Sequence, residues 1–396
     1  MRKMASVLVS TLLVGALVVT GCGTKTATTP SATGSSGTSG SGDVIKIGVF
    51  EPMTGANAAG GALEIEGIKL ANKLYPEVLG KKVELVTVDN KSDKVEAASA
   101  ASRLVEKEKV SAIIGSWGSS LSMAAGDIVK KAKVPTVAAS ATNPLVTENN
   151  NYYFRVCFID PFQGKVMANY AFDKLKAKKV AIVQEVSSDY SIGLAKFFTD
   201  SFKQLTGDQN AIVGMANYNT GDQDFSAQLT NLKATNPDVI FAPGNFTESA
   251  LLIKQARQLG ITVPIIGGDT WETPEFIDIG KQAVEGAIFS TFFTSEKPIT
   301  PESEKFLAEY RKENPSKEPA AVTALGYDAY LVILDAMTKA NSSDPVKVRD
   351  QLAKTKDFPG AAGMITFDEN GNAVKDAVIK QVKNGKFTYL DLVKAK

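Results

Sequence analysis

Short apolar runs alternate along this chain with longer segments in which apolar residues recur every three or four positions. The short runs predict strands and the longer segments predict amphipathic helices. The predicted strands cover residues 44–50, 82–89, 110–116, 134–140, 179–186, 210–218, 237–244, 262–269 and 284–293. Because the runs are almost wholly apolar and helices separate them, the pattern is typical of parallel sheets covered on both faces. The sequence therefore predicts an α/β protein.

The last hundred residues follow a different pattern. Helical spacing over 300–313 and 320–340 is followed by strand-like segments, and Asn384-Gly385 predicts a hairpin turn between two of them. The chain thus shows one strand-helix series, a second one and then a mixed tail. About 350 folded residues are too many for one ordinary core, so we expect two domains.

The N-terminus has the features of a secretion signal. Arg2 and Lys3 precede an apolar stretch over 4–19, which is shorter than the roughly 20 residues that a membrane span needs. Small residues then lead to Cys22, an arrangement that resembles the signal of bacterial lipoproteins. The resemblance implies a signal peptide over 1–21 and a lipid on the Cys22 sulfur. A transmembrane helix is the alternative, and we expect no later segment to be long and apolar enough to cross a bilayer.

Residues 22–42 are predicted to form a tether between the lipidated Cys22 and the folded body. After the cysteine they are mostly Gly, Ser and Thr and have too little apolar surface to fold. A flexible coil of this length spans about 25 Å on average. The body would therefore stay close to a membrane while tumbling freely.

Composition excludes several classes of protein. Lys and Arg number 44 against 43 Asp and Glu, which is not the basic excess of a nucleic-acid-binding surface. The chain has no histidine, which excludes Ser-His-Asp and Cys-His catalysis and most zinc sites. With Cys22 lipidated, Cys157 has no partner for an intrachain disulfide and is expected to be a small buried side chain. Other nucleophile arrangements survive, but the commonest general base is missing, so we do not expect an enzyme, and we expect neither a cofactor nor a metal.

Polar loops follow the predicted strands, where ligands bind in sheets of this kind. Their sequences include SWGSS, SATNP, SSDYSIG, GNFTES and GGDTWETP. Hydroxyl groups and helix N-termini suit a carboxylate, and the acid Asp269 suits an ammonium group. The two charges together indicate a free amino acid. Each residue also has a local alternative: Ser119 and Asp269 as helix caps, Thr142 and Asn143 as a turn, and Tyr190 as surface packing.

Several linked segments resemble one known family. They are GVFEPMTGANAAGG, IIGSWGSSLSMAAGDI, VPTVAASATNPLVT, YYFRVCFIDPFQGKVMA, SSDYSIGLAK and DFSAQLTNLKATNPDVIFAPG. In order and spacing they are similar to the leucine/isoleucine/valine-type substrate-binding proteins of ABC importers. The resemblance implies a type I periplasmic-binding fold, in which two Rossmann-like lobes are joined by three crossings of the chain. Lobe one would comprise 44–160 plus 295–355, and lobe two 161–294 plus 356–396.

The resemblance also implies roles for residues in the cleft. Ser119 and Thr142 would contact the ligand carboxylate, while the Ser140 carbonyl and Asp269 would contact the ammonium group and Tyr190 would close over the ligand. Two departures concern the pocket for the ligand side chain: Asn245 stands where an aromatic residue is common, and residues 56–61 are small, leaving space that Trp117 would partly fill. The full set of predicted ligand-binding residues is Trp117, Ser119, Ser140, Ala141, Thr142, Tyr190, Asn245 and Asp269.

The function implied by the family is capture and delivery, not chemistry. A lipid-anchored, extracytoplasmic monomer would bind a free amino acid, branched-chain or otherwise apolar, and deliver it to a permease and its ATPase. Three alternatives stay open: a ligand that is an amide, urea or small organic acid, a sensor for a membrane receptor, and a Ser/Lys hydrolase. The hydrolase would need a lysine beside a loop serine, and none of the loops quoted above contains one.

Overall fold

The computed structural model describes residues 44–395. The predicted signal peptide over 1–21, Cys22 and the tether over 22–42 lie outside the described residues. Residues 44–395 form one compact unit by themselves.

Strands and helices alternate through most of the described chain. The strands are β1 Ile45–Glu51, β2 Glu77–Val78, β3 Lys81–Asp89, β4 Ala112–Ile114, β5 Thr136–Ala138, β6 Tyr153–Arg155, β7 Val180–Glu185, β8 Ile212–Tyr218, β9 Val239–Phe241, β10 Ile265–Gly267, β11 Ile288–Thr291, β12 Phe358–Gly360, β13 Gly363–Ile365, β14 Ala377–Lys383 and β15 Lys386–Val393. The helices are α1 Ala58–Leu74, α2 Lys94–Ser102, α3 Ser119–Ala132, α4 Asp160–Asn169, α5 Asp189–Thr206, α6 Ser226–Ala234, α7 Phe246–Gln258, α8 Pro274–Gly280, α9 Pro301–Glu313, α10 Ala321–Ala340 and α11 Pro345–Leu352.

Two sheets organise the molecule, and we call the halves built on them lobe one and lobe two. The first has the order β2-β3-β1-β4-β5-β6 and is parallel except for the short β2. The second has the order β15-β14-β11-β10-β9-β7-β8, with β14 and β15 antiparallel. In each sheet the first strand in sequence, β1 or β7, lies between two later strands, so a crevice opens beyond its carboxyl end. The predicted α/β fold with two parallel-rich sheets is confirmed.

The chain passes between the lobes three times, after β6, after β11 and before β14. The third crossing comes later than the boundary predicted at residue 356. The β12–β13 hairpin stays with lobe one, where the Asp328 carboxylate on α10 accepts a hydrogen bond from the Ala362 amide at 3.0 Å. The Arg155 amide also donates to the Gly371 carbonyl at 2.9 Å. These long-range bonds hold residues 358–373 in lobe one.

Helix α10 corrects one sequence expectation. It is, among residues 44–395, the one helix long and apolar enough to cross a membrane, but 89% of that stretch is buried inside the protein. It packs closely on α1, because a Cβ on Gly67 would lie 1.8 Å from the Thr323 carbonyl oxygen and one on Gly326 would lie 2.3 Å from the Glu64 carbonyl oxygen. Only glycine allows this approach of two backbones. Helix α10 is therefore a core helix of lobe one.

The hairpin predicted at Asn384-Gly385 is confirmed. Lys383 pairs with Lys386, and the two turn residues have φ angles of 54° and 66°. Positive φ at both central positions is the geometry that Asn-Gly favours. Cys157 is fully buried, as expected, and it is a free thiol within the described residues.

Candidate functional site

The loops at the carboxyl ends of both sheets face one cavity of about 90 Å³. One water molecule needs about 10–15 Å³, so this space takes a small organic molecule. The residues that line it are Asn57, Ser92, Lys94, Trp117, Gly118, Ser119, Ser120, Leu121, Ser140, Glu185, Ser187, Ser188, Tyr190, Thr220, Asn245, Asp269 and Thr270. They come from both lobes, so the cavity is a cleft between them.

Ser119 forms the lobe-one end of the cleft. It is the first residue of α3, and the chain enters the helix through Gly118, whose φ of 89° favours glycine. Its buried hydroxyl oxygen accepts a hydrogen bond from the Asn143 amide at 3.1 Å. The first amide groups of a helix have no partner within the helix and carry partial positive charge. This end of the cleft can therefore bind an anion.

Asp269 forms the lobe-two end. It begins the short turn Asp269–Trp271 after β10 and is buried. Its Oδ1 accepts hydrogen bonds from Gln163 Nε2 at 2.7 Å and from the Tyr190 hydroxyl at 3.0 Å. Burial raises the pKa of Asp269 to about 6 although both hydrogen bonds act in the other direction. The carboxyl group is thus ionised at neutral pH and suited to a cation.

Trp117 forms an apolar wall of the cleft. A Cβ on Gly60 would lie 2.3 Å from Cε2 of the Trp117 ring, so the ring rests directly on the bare backbone of α1. On its other side the ring meets Phe246 of lobe two edge to face, with centroids 6.2 Å apart. Gly60, one of the small residues over 56–61, therefore makes room for this indole.

Six of the eight predicted ligand-binding residues line the cavity: Trp117, Ser119, Ser140, Tyr190, Asn245 and Asp269. Ala141 and Thr142 lie behind the wall instead. The Ala141 carbonyl accepts a hydrogen bond from Arg155 Nη1 at 2.6 Å, and Thr142 is buried beside the Asp160 carboxyl group.

Arg155 explains why the loop after β5 turns away from the cavity at Ala141. The guanidinium group is fully buried and donates to the carbonyl groups of Ala141 and Asn143 at 2.6 and 2.8 Å. These bonds draw the backbone of residues 141–143 toward β6. Only Ser140 of the predicted stretch 140–142 then lines the cleft.

Sequence reasoning missed two glutamates behind the cleft, Glu51 and Glu64. Both are fully buried. Oε2 of Glu51 accepts a hydrogen bond from the Trp117 amide at 2.6 Å, and Oε1 of Glu64 accepts one from the Ser140 hydroxyl. The signal in the sequence was an acid at the end of an apolar strand and another on the apolar face of a helix, where ionisable residues are rare.

Asp189 joins the two lobes at the rim of the cleft. Its Oδ2 accepts hydrogen bonds from Lys94 Nζ at 3.0 Å and from Ser120 Oγ at 2.7 Å, both in lobe one. Asn143 Nδ2 donates to its carbonyl oxygen at 2.8 Å. The lobes therefore touch directly at the rim. Lys94 was not among the predicted site residues, and its amine is occupied by this ion pair.

No group of three or more Cys, Asp or Glu side chains within residues 44–395 is placed to hold a metal ion.

Comparisons with known proteins agree on one family. The sequence profile of the periplasmic binding protein family matches residues 44–386. An amino acid binding protein of Pseudomonas aeruginosa is 29% identical over 344 residues, which cover 85% of this chain and 89% of that protein. The Leu/Ile/Val-binding protein BraC3 of Rhizobium johnstonii is 32% identical over 336 residues, covering 83% and 88%.

Two solved structures have the same fold. The leucine binding protein LivK of Thermotoga maritima is 46% identical with a TM-score of 0.86, and the match covers 88% of this chain and 99% of that one. The substrate-binding protein LivJ of Streptococcus pneumoniae, solved in complex with isoleucine, is 37% identical with a TM-score of 0.83, covering 89% and 100%.

Proposed function

Because this chain belongs to the periplasmic binding protein family, we propose that it captures a free amino acid with a branched or other apolar side chain. One observation carries the proposal: Ser119 at a helix N-terminus and the Asp269 carboxylate line the same cavity from opposite lobes. An anion site and a cation site that share one small cavity fit a zwitterion. The chain would then act as the substrate-binding component of an ABC importer.

The headgroup of the amino acid would be held at both ends. The ligand carboxylate would accept hydrogen bonds from the Ser119 hydroxyl and from the first amides of α3. The ligand ammonium would pair with Asp269 and donate to the Ser140 carbonyl. Gln163 and the Tyr190 hydroxyl already orient the Asp269 carboxylate for this role. Such contacts recognise any free amino acid, and the rest of the cavity selects the side chain.

The aromatic wall of Trp117, backed by Phe246, favours an apolar side chain. Two similar proteins support this, since one is described as a leucine binding protein and the other was solved with isoleucine. The affinity needs no unusual contact. A micromolar Kd corresponds to about −8 kcal/mol, or about −0.9 kcal/mol for each of the nine heavy atoms of leucine, below the ceiling of about −1.5 kcal/mol per atom.

Binding would proceed by closure of a hinge. Lobe one would take the carboxylate first, and lobe two would then bring Asp269 and Tyr190 onto the ammonium end. Ligand favours closure only if the closed form binds it more tightly than the open form. The contacts of Asp189 with Lys94 and Ser120 at the rim would add to the stability of the closed form.

We extend the proposal to location and partners. The membership of the family supports an extracytoplasmic protein, and the signal-like residues 1–21 before Cys22 support a lipid anchor. We expect a monomer that serves a membrane permease and its ATPase and carries out no reaction. Replacing Cys22 with serine should release the protein into the soluble fraction, while fractionation of the unaltered protein should recover it with membranes. Equal fractionation of both proteins would reject the anchor.

Thermal-shift screening tests the ligand class. Residues 43–396 would be heated with each of the 20 amino acids, with urea and with small amides and organic acids, because a ligand of the native state raises the Tm. Leucine, isoleucine or valine should give the largest shifts, and calorimetry should then give the Kd. A shift with a small acid or amide and none with any amino acid would overturn the proposal.

A further inference from the structure

Glu51 and Glu64 lie behind the two lobe-one loops that face the ligand. Glu51 ends β1 and Glu64 lies on α1, and both side chains are fully buried. Glu51 accepts the Trp117 amide and Glu64 accepts the Ser140 hydroxyl. Each glutamate therefore holds one of the loops that supply ligand contacts. No ligand contact is assigned to either of them.

The remaining oxygens of the two carboxyl groups point to a shared hydrogen. Oε1 of Glu51 and Oε2 of Glu64 are buried and have no other partner within the described residues. A side-chain hydrogen bond between Glu51 and Glu64 is among the interactions that act on both carboxyl groups. An ionised carboxylate can only accept hydrogen bonds, so two ionised groups at this distance would repel each other and leave both oxygens unsatisfied. One proton between them satisfies both.

We propose that Glu51 and Glu64 share a single proton and together act as a positioning pair that fixes the loops of Trp117 and Ser140 in the shape that binds the ligand. The proposal rests on the proposed function, because those loops matter only if they hold an amino acid. The pair carries one negative charge. That charge also favours the ligand ammonium, since Glu64 lies close enough to Asp269 for the two carboxyl groups to interact electrostatically.

The electrostatic surroundings agree with a retained proton. Burial raises the pKa of Glu51 well above its usual range, and the neighbouring Glu64 raises it further. Burial also raises the pKa of Glu64, to about 7. The titratable groups that interact with the pair from other elements are Tyr153 on β6, Cys157 after it and Asp269 after β10.

Glutamine and alanine substitutions separate this pair from ordinary buried residues. In E51Q the amide oxygen can still accept the Trp117 amide, while the amide nitrogen donates permanently to Glu64. In E51A the buried Trp117 amide loses its acceptor, which should weaken L-leucine binding about 5- to 150-fold. E51Q should lose at most half as much binding free energy as E51A, and E64Q at most half as much as E64A. Calorimetry with L-leucine gives each Kd.

Asp328→Asn is the matched control. Asp328 is a buried lobe-one carboxylate that bonds to loop amides away from the cleft. The D328N substitution should lower the Tm without changing the Kd for L-leucine. If E51Q and E51A lose affinity equally, the shared proton is refuted. If D328N weakens binding as much as E51A, the pair has no positioning role beyond general stability.

A measurement without ligand tests the proton itself. The folded pair keeps one proton that the unfolded chain releases above about pH 4.5, so the unfolding free energy should fall as pH rises from about 4.5 to 7. E51Q carries no such proton. Its unfolding free energy, measured in urea, should therefore fall less steeply with pH, by the slope that about one bound proton contributes. Asp160 and Asp269 contribute equally to both proteins. If the unfolding free energy of E51Q and of the unaltered protein falls equally with pH, the shared proton is overturned even if leucine binds. If E51Q shows the reduced slope but the unaltered protein does not bind leucine, the result counts against the proposed function alone.

Discussion

Asp269→Asn is the most informative single change, because it removes charge while leaving shape. The asparagine carbonyl oxygen can replace Oδ1 as the acceptor for Gln163 Nε2 and the Tyr190 hydroxyl. The lobe-two end of the cleft should therefore keep its geometry. What is lost is the negative charge that would pair with the ligand ammonium.

The expected loss of binding follows from burial. Asp269 is only 4% exposed, so solvent screens its interaction with an ammonium group very little. A hydrogen bond to a charged group is worth about 1.5–3 kcal/mol, which predicts about 10- to 150-fold weaker leucine binding. Asp269→Ala should lose more, because it also leaves Gln163 and Tyr190 without an acceptor. If the amide group introduced by Asp269→Asn made an unfavourable contact with the ligand ammonium, the loss of leucine affinity in this variant would lie near the upper end of the range given for it.

The same substitution should stabilise the protein without ligand. The pKa of Asp269 rises from 3.8 to about 6 on folding, so the ionised group opposes folding at pH 7. Removing it should add on the order of 1–3 kcal/mol of unfolding free energy. Asp269→Asn should thus weaken leucine binding and at the same time raise the unfolding free energy of the ligand-free protein.

Calorimetry with leucine at pH 7.5 and urea unfolding without ligand supply both readouts. Asp278→Asn is the control, since Asp278 is an exposed acid on the neighbouring α8 that pairs with Lys281 on the surface. It should change neither the Kd nor the stability beyond about 0.5 kcal/mol. Unchanged leucine affinity in Asp269→Asn would refute the assignment of the ammonium subsite.

Three further outcomes follow from the geometry. Protonation of Asp269 should weaken leucine binding as pH falls below about 6, by up to about tenfold per pH unit, so a flat Kd between pH 4.5 and 7 would contradict the assignment. Gly60→Ala should push Trp117 toward the cavity, because the new Cβ would lie 2.3 Å from the ring, and should reduce leucine affinity more than alanine affinity; a uniform effect in calorimetry would argue against a side-chain wall. Asp189→Ala should speed leucine release about 5- to 30-fold in stopped-flow measurements, because the rim contacts with Lys94 and its neighbours are lost, and an unchanged release rate would show that they do not hold the closed form.

Glu51 and Glu185 occupy matching places in the two lobes. Each ends the first strand of its sheet, is buried and accepts a backbone amide from the loop across the crevice, that of Trp117 at 2.6 Å and that of Asn245 at 3.3 Å. Burial raises the pKa of both. In each sheet, an acid at this point therefore accepts a hydrogen bond from a loop that lines the cavity.

The sequence by itself determined the elements and the α/β class, and it predicted two lobes with a zwitterion bound in the cleft between them. Strand and helix periodicity is a local property, and the polar loops after apolar strands mark the ligand end of any parallel sheet. Ser119 and Asp269 could be predicted because each stands at the end of a strand in such a loop. The resemblance to a known family then supplied the roles proposed for individual residues.

Only the tertiary structure decided which loop residues face the cavity. Ala141 and Thr142 follow Ser140 directly, yet Arg155 turns them away from the cavity. Its guanidinium group donates hydrogen bonds to the carbonyl groups of Ala141, fourteen residues earlier, and Asn143, twelve residues earlier. The third crossing falls after residue 373 because Asp328 and Arg155 hold the preceding hairpin. The pairing of Glu51 with Glu64 depends on how α1 packs against β1. These features arise from contacts between segments distant in sequence, and no local pattern records which side chains such contacts bring together.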